Sequence, residues 1–364
     1  MAADRFNTLS QRQAAAREVP LAPAGKWALR LPGERSVLVD RRSLFANLVL
    51  AALLLLACGL SLSLGSVNLM PLQGLQTLFG EGDPLTTFMV LELRLPRLLA
   101  GLATGAAFAQ AGCLMQTLAR NRLATPGIIG IDNGATAFAI ASVLGVGVSM
   151  APSAMALVGA ATAAALAFGL AGDVGTRGYR FIVAGIGIGA VFGALTQLMM
   201  AQVAIDAANA AYPWTVGTLN ARPAGAVAVL GIALALSTVA ALLLARSLTV
   251  LRFSDAVAQG LGIRVRACRY ASLALAIVMA GLAVAVAGPV GLVGLVGPEV
   301  ARYVTKGGVP VIGASLAGAL VMVLSDLAGR LLLAPLEVPV GIITAVVGGP
   351  YLLWILLRSP RIAP

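Results

Sequence analysis

Few side chains in this 364-residue sequence stand where they could do chemistry, and their types narrow the options before any fold is considered. Histidine is absent, which excludes Ser-His-Asp hydrolysis, His-based metal sites and haem held by His. Cys58, Cys113 and Cys268 are scattered and odd in number, so neither a disulfide framework nor a Cys-cluster metal site is supported. The fourteen acids are spread singly and do not form the paired carboxylates of a hydrolase. The phosphate-loop pattern G-x-x-x-x-G-K-[ST] is missing, since Gly25-Lys26 lacks both the upstream Gly and the Ser/Thr. The chain is therefore not expected to be an enzyme or to bind a metal or cofactor, and any ATP chemistry must come from a partner.

Three groups of residues remain. Asp132, within Gly130-Ile-Asp-Asn-Gly134, is the acid set deepest in an apolar stretch. A charge there costs roughly 2.5–3.5 kcal/mol on insertion scales, so it must face a cavity, a polar partner or water. Pathway lining and internal packing with Asn133 fit it equally. The second group is Arg94, Arg97 and Arg330, cations at the ends of apolar stretches. Arg94-Leu-Pro-Arg97 reads as a helix entry, with Pro96 in the first turn where its missing N–H costs nothing. Asp326 precedes Arg330 by four residues in the favourable acid-first order, a pair worth only about 0.3–0.5 kcal/mol if exposed. These arginines serve either as headgroup anchors or as positive charge offered to an acidic partner. The third group is the polar loop 246–269, in which Ser254 can cap a short helix running to Gly260. This loop is either a docking surface for a soluble partner or a connector whose arginines set topology.

The elements that must position these groups are membrane helices. The composition is 59% hydrophobic and 11% charged with a mean hydropathy of +0.96, against roughly 25% charged residues in soluble domains. So little charge cannot solvate a compact particle, whereas a lipid-facing surface needs none. Apolar runs occupy 44–66, 97–119, 125–147, 152–172, 180–204, 224–245, 270–287, 289–304, 310–330 and 338–357. The fold class expected is all-α, with a ten-helix transmembrane domain over 44–358 behind a polar, mobile tail over 1–43. The eighth run is the weakest, interrupted by Pro289, Pro298 and several glycines. Small-residue spacings such as Gly101/Gly105 and Gly185/Gly189/Gly193 predict close helix packing. With the N-terminus placed in the cytoplasm, 21 of the 25 Lys and Arg fall on the cytoplasmic side, Arg177, Lys306 and Arg361 among them. Only Arg94, Arg97, Arg222 and Arg330 lie outside, which is the distribution the charge rule demands. The net charge of +11 is thus a topology signal, and nucleic acid is not an expected partner.

Three stretches of this sequence resemble the permease subunits of the iron-siderophore, haem and cobalamin ABC importers, the FecCD type with the type II importer fold. They are Arg94-Leu-Pro-Arg-Leu-Leu-Ala-Gly continuing through Gln110-Ala-Gly-Cys-Leu-Met-Gln116; Phe253 to Val265 with Gly260-Leu-Gly-Ile; and Ala287-Gly-Pro-Val-Gly-Leu-Val-Gly-Leu-Val-Gly-Pro298 followed by Ser325-Asp326 and Leu336-Glu-Val-Pro-Val-Gly341. The resemblance implies a subunit of an ATP-driven importer in the inner membrane, with both termini cytoplasmic and a ferric siderophore as the leading substrate. It also implies inverted repeats formed by segments 2–5 and 7–10. The partners implied are a second permease, identical or homologous, a cytoplasmic ATPase dimer that uses ATP and Mg, and a periplasmic or lipid-anchored binding protein. By the same resemblance Arg94, Arg97 and Arg330 would meet carboxylates of that binding protein. The loop residues Arg252, Phe253, Ser254, Asp255, Gln259, Gly260, Gly262, Arg264 and Arg266 would contact the ATPase. Asp132, Asn133, Gln110, Gln116 and Trp214 become candidates for the pathway. Haem or cobalamin in the same machinery, and an ion-coupled carrier using Asp132, are the alternatives.

Overall fold

In lipid a backbone must satisfy its own hydrogen bonds, and each of the ten apolar runs accordingly contains a helix. The computed structural model describes residues 25–31, 35–65, 67, 69–78, 80–147, 150–171, 179–305 and 307–358. Most of the polar tail, Arg177, Lys306 and Arg361 lie outside the described residues. Strands β1 (Lys26–Leu31) and β2 (Arg35–Asp40) lead into α1 (Arg41–Ser63). Then come α2 (Pro71–Leu78), α3 (Pro84–Phe88), a π turn (Met89–Arg94), α4 (Leu95–Ala119), a 3-10 turn (Pro126–Ile129), α5 (Ile131–Val143), α6 (Pro152–Ala171) and α7 (Tyr179–Ala201). The second half holds the short α8 (Ile205–Ala211) and α9 (Pro213–Val216), then α10 (Ala224–Leu251), α11 (Asp255–Gly260), α12 (Val265–Ala287), α13 (Val293–Val304), α14 (Val311–Leu331) and α15 (Val340–Arg358).

Seven helices among the described residues are long and apolar enough to cross a membrane, one of them the continuous stretch Pro84–Ala119. The other three of the ten are shorter. The third run divides at Gly130, which is left-handed at φ +84°, leaving α5 with 13 residues. The eighth run yields α13 with 12 residues, about 18 Å at 1.5 Å per residue and too short to cross the hydrocarbon core alone. In α15 the apolar stretch counted is Val340–Tyr351.

Three expectations need correction. Part of the tail is structured: β1 and β2 pair antiparallel from Lys26 opposite Asp40 to Leu31 opposite Arg35. Twelve residues with β-favouring Trp27, Val37 and Val39 suffice for a hairpin, and Arg41 at the head of α1 lies 5.1 Å over the Trp27 ring. The helix entry is not at Pro96. It lies at Pro84, where Asp83 accepts a hydrogen bond from the Thr86 N–H, and the Leu95 N–H reaches back to the Val90 carbonyl in a π turn, widening the coil where the proline follows. Finally, the loop over 246–269 is shorter than expected, because α10 runs on to Leu251 and α12 already begins at Val265.

Helix α4 is the hub of the bundle, packed by α10, α12, α13 and α14, whereas α1 and α10 leave most of their surface exposed. Backbone closeness explains the small residues. A Cβ added at Gly105 would stand 2.5 Å from the Gly318 carbonyl oxygen, and one at Gly112 would overlap the Gly294 carbonyl. The two expected repeats are visible as an exchange of partners. Helix α4 packs against α13 and α14 of the second set, while α12 packs against α5 and α6 of the first. Each set runs long, short, long, long: 25, 13, 20 and 23 residues against 23, 12, 21 and 19. Counting α5, α6, α7 and α10 as spans, α12 is the fifth after α4 and so runs in the opposite direction, as inverted repeats require.

Candidate functional site

At the Leu95 end of α4, Arg94, Arg97 and Arg330 come together around a cavity of about 370 Å³ that Glu92, Arg222 and Glu337 also line. The structure brings the expected trio together but does not leave it as free charge. Helix α1 ends at Ser63, where the last carbonyls have no donor within the helix and the Ser63 carbonyl accepts from the Leu69 N–H at 2.9 Å. Arg94, 7% exposed, donates from Nη1 to the carbonyls of Leu62 at 2.6 Å and Ser63 at 2.9 Å, and from Nη2 to Val67 O. Arg330 donates to Ser61 O at 3.3 Å and to Ser61 Oγ at 2.7 Å, and its Nε lies 3.3 Å from Asp326 Oδ2. Two of the three docking candidates are therefore clasps on the end of α1, a correction to the picture of an open cationic cluster. Arg97 forks onto Asp326 at 2.9 Å and reaches Glu337 at 2.8 Å. Glu337 is half exposed while Asp326 is buried, so Arg97 is the member of the trio whose ion-pair partner can exchange with an incoming carboxylate.

Sequence reasoning missed Arg222 at this cavity. Its guanidinium lies 4.7 Å over the Trp214 ring and donates through Nε to Thr218 O at 3.0 Å. Burial pushes Arg222 down to about 10. Trp214 is itself buried and acts as the platform for Arg222, which corrects its assignment to the pathway. Gln110 is corrected likewise. Fully buried, it donates to Ser237 Oγ and accepts from Thr238 Oγ1, both at 3.2 Å, clasping α4 to α10. Gln116 is also buried, donating to Gly294 O at 3.4 Å and accepting from Arg302, so it ties α4 to α13.

Asp132 and Asn133 divide the pathway expectation between them. Asp132 is half-buried, its Oδ2 turned toward the backbone of Gly127 and Gly291. Asn133 is exposed, donates to Gly189 O at 3.0 Å, and lines a cavity of about 400 Å³ with Thr136, Thr196, Gln197 and Thr215. The signal for these neighbours was present in the sequence. Asn133 and Thr136 are three apart, and Gly193, Thr196, Gln197 and Met200 follow the i, i+3, i+4, i+7 spacing of one helix face.

At the other end of α4, about 37 Å away by its 25 residues, the loop carries its expected short helix. Ser254 Oγ accepts from the Val257 N–H at 3.2 Å, and α11 runs Asp255–Gly260. Asp255 pairs with Arg269 at 2.6 Å and with Arg120 at 3.1 Å, while Arg120 donates to Leu251 O, so the loop is bolted to the end of α4. Phe253, Val257 and Leu261 stand exposed at four-residue spacing, with Gln259, Gly260, Gly262, Arg264 and Arg266 exposed beside them. They form an apolar stripe rimmed by cations at the end of the bundle.

Residues 53–358 match the FecCD transport family. The chain is 34% identical over 329 residues to the achromobactin transport system permease protein CbrC of Dickeya dadantii, covering 88% of this chain and 92% of that protein. It is 32% identical to the ferric enterobactin transport system permease protein FepG of Escherichia coli, covering 89% of this chain and 99% of that one. With the Fe(3+)-citrate import system permease protein YfmE of Bacillus subtilis it shares 33% identity over 88% of this chain and 97% of the relative. Among solved structures, a metal-chelate type ABC transporter in an inward-facing conformation shares the fold at a TM-score of 0.74 and 22% identity, covering 87% of this chain and all of that one. Arginine-clasped helix ends, a polar cavity on an apolar bundle and a capped loop helix thus sit on a shared architecture and a matched sequence, and the chain belongs to the FecCD transport family.

Proposed function

We propose that this chain is the membrane-spanning subunit through which a ferric siderophore, or a ferric chelate of similar chemistry, is imported across the inner membrane, with ATP hydrolysed on a separate cytoplasmic partner. The observation that carries the reading is the exposed amide of Asn133 with Thr136, Thr196, Gln197 and Thr215 around one cavity. Polar groups at this depth are too costly to face hydrocarbon, so they face water or another subunit. A second copy of the chain, or a related permease, set against α5 and α7 would enclose this polar stripe in a shared pathway. The relatives' achromobactin, enterobactin and citrate systems support a ferric chelate as cargo.

The stripe Phe253, Val257 and Leu261 would seat the ATPase, with Arg264 and Arg266 at its rim. Because Asp255 binds Arg120 at the end of α4, a push on α11 is delivered to the hub helix. At the opposite end a binding protein would dock over the 370 Å³ cavity, where an acidic side chain competes with Glu337 for Arg97. Both termini lie on the cytoplasmic side in this arrangement. The test is uptake of ⁵⁵Fe-labelled chelates into proteoliposomes holding this chain with its cognate ATPase and binding protein. ATP-dependent accumulation of a ferric siderophore is expected. Uptake that continues when the ATPase is inactivated, or accumulation of none of the catecholate, hydroxamate and citrate chelates, would overturn the reading.

A further inference from the structure

The C-terminal ends of α4, α10 and α13 and the segment Gly308, Val309 and Pro310 that leads into α14 surround a second cavity, of about 220 Å³, at the α11 end of the bundle. Arg120, Arg122, Arg252 and Arg302 line it together with Gln116 and Asn121. Four guanidinium groups around one small space repel one another, so the balancing charge decides what the space holds. Glu299 pairs with Arg122 at 3.0 Å and with Arg302 at 3.1 Å. Asp255 pairs with Arg120 but lies closer to Arg269. Arg252 has a neutral acceptor, the Gly307 carbonyl at 3.2 Å. Five cations thus meet two carboxylates, a formal excess of three. The C-terminal ends of α4, α10 and α13 each offset about half a charge, and the N-terminal end of α14 returns about half. An excess of about two positive charges remains.

We infer that this cavity is a binding site for a phosphate group, carried by an anionic phospholipid or free as a small soluble phosphate. Guanidinium forks match phosphate oxygens two at a time, and the cavity wall at Val309 and Pro310 leads directly into the positive N-terminal end of α14. A small phosphate monoester carries about −1.5 to −2 near neutral pH, which balances the remaining charge; inorganic phosphate, a mixture of mono- and dianion there, balances most of it, and a phosphodiester headgroup about half. The site is independent of the polar cavity at Asn133 and of the Arg94 cluster, and it does not rest on the identity of the cargo.

The experiment uses the full chain in phosphatidylcholine nanodiscs. Inorganic phosphate is titrated in one arm, with chloride of equal ionic strength as the reference, and thermal unfolding is followed. In the other arm phosphatidylglycerol is added to the nanodisc, and lipid retained after delipidation is counted by native mass spectrometry. Saturable binding in either arm supports the site, and the arm that responds identifies the source. The concentration at half-effect should rise at least tenfold in the double variant Arg252→Gln/Arg302→Gln, rise less in Arg302→Lys, and stay within twofold in Arg42→Gln, an exposed cation outside the cavity. Because the readout is a concentration dependence, a variant that is merely less stable does not mimic the loss. Binding in neither arm, or equal weakening by Arg42→Gln, would overturn the inference. So would loss of an acidic partner protein from the double variant while neither probe binds, since the cavity would then belong to that protein.

Discussion

Asp326→Asn is the most informative single change in this chain. The carboxylate is buried between Arg97 at 2.9 Å and Arg330 at 3.3 Å. At an effective dielectric constant of about 20, each contact attracts by about 5–6 kcal/mol before desolvation is subtracted. Removing one partner of a buried ion pair costs about 3–5 kcal/mol, chiefly through the charge left behind. Here the lower end applies, about 3 kcal/mol, because Arg97 keeps Glu337 and Arg330 keeps Ser61. The comparison is Glu337→Gln. Its half-exposed carboxylate forms a solvated pair worth about 0.2–1 kcal/mol. Unfolding in dodecylmaltoside micelles titrated with sodium dodecyl sulfate, followed by circular dichroism, gives both free energies on one scale. The expected order is a loss at Asp326 at least three times that at Glu337. A cycle with Arg97→Gln should return a coupling of about 1–3 kcal/mol for the Arg97–Asp326 pair. Equal losses at the two acids, or a cost below about 1 kcal/mol at Asp326, would refute the claim that Asp326 locks α14 to α4.

The other predictions concern packing, capping and the loop surface. Gly112→Ala should destabilise the same micelle-solubilised protein by about 1–3 kcal/mol, because the added Cβ meets the Gly294 backbone, whereas Gly231→Ala, with open space around it, should be neutral or stabilising by up to about 1 kcal/mol. Ser254→Ala removes the acceptor for the Val257 N–H and should cost α11 about 1 kcal/mol, read as roughly fivefold faster hydrogen exchange at that amide. Leu261→Asp should leave unfolding within about 0.5 kcal/mol, since the side chain is exposed, yet abolish copurification of the ATPase; retained association would remove the stripe from that interface.

What could be read from the sequence was local. Ser254, Gly260 and the spacing between them specify a cap and a short helix without help from elsewhere, and the structure has both. Asp326 and Arg330 meet because four residues bring two side chains onto one helix face. The apolar runs became helices because lipid offers the backbone no other partner, and even the division of the third run is written in Pro126, Gly127 and Gly130. The hairpin before α1 was hidden by averaging: a composition taken over 43 residues conceals twelve that alternate well enough to pair.

The arginines show why the remainder was not legible. Arg94 and Arg97 are three residues apart and look equivalent in sequence, but their fates are set by segments 27 to 240 residues away. Arg94 meets the end of α1, whose last carbonyls have no donor within the helix and attract a buried donor strongly, while Arg97 meets one buried acid and one half-exposed acid. Gln110 and Trp214 follow the same logic. A polar side chain in an apolar helix looks functional when only its own helix is considered, and becomes a clasp once Ser237, Thr238 or Arg222 arrives from another. Charge with a full set of internal acceptors cannot also receive a partner without losing them. Among the described residues the exchangeable contacts are therefore those where one member stays wet, such as Arg97 with Glu337 at one end and Arg122 with Glu299 or Arg120 with Asp255 at the other.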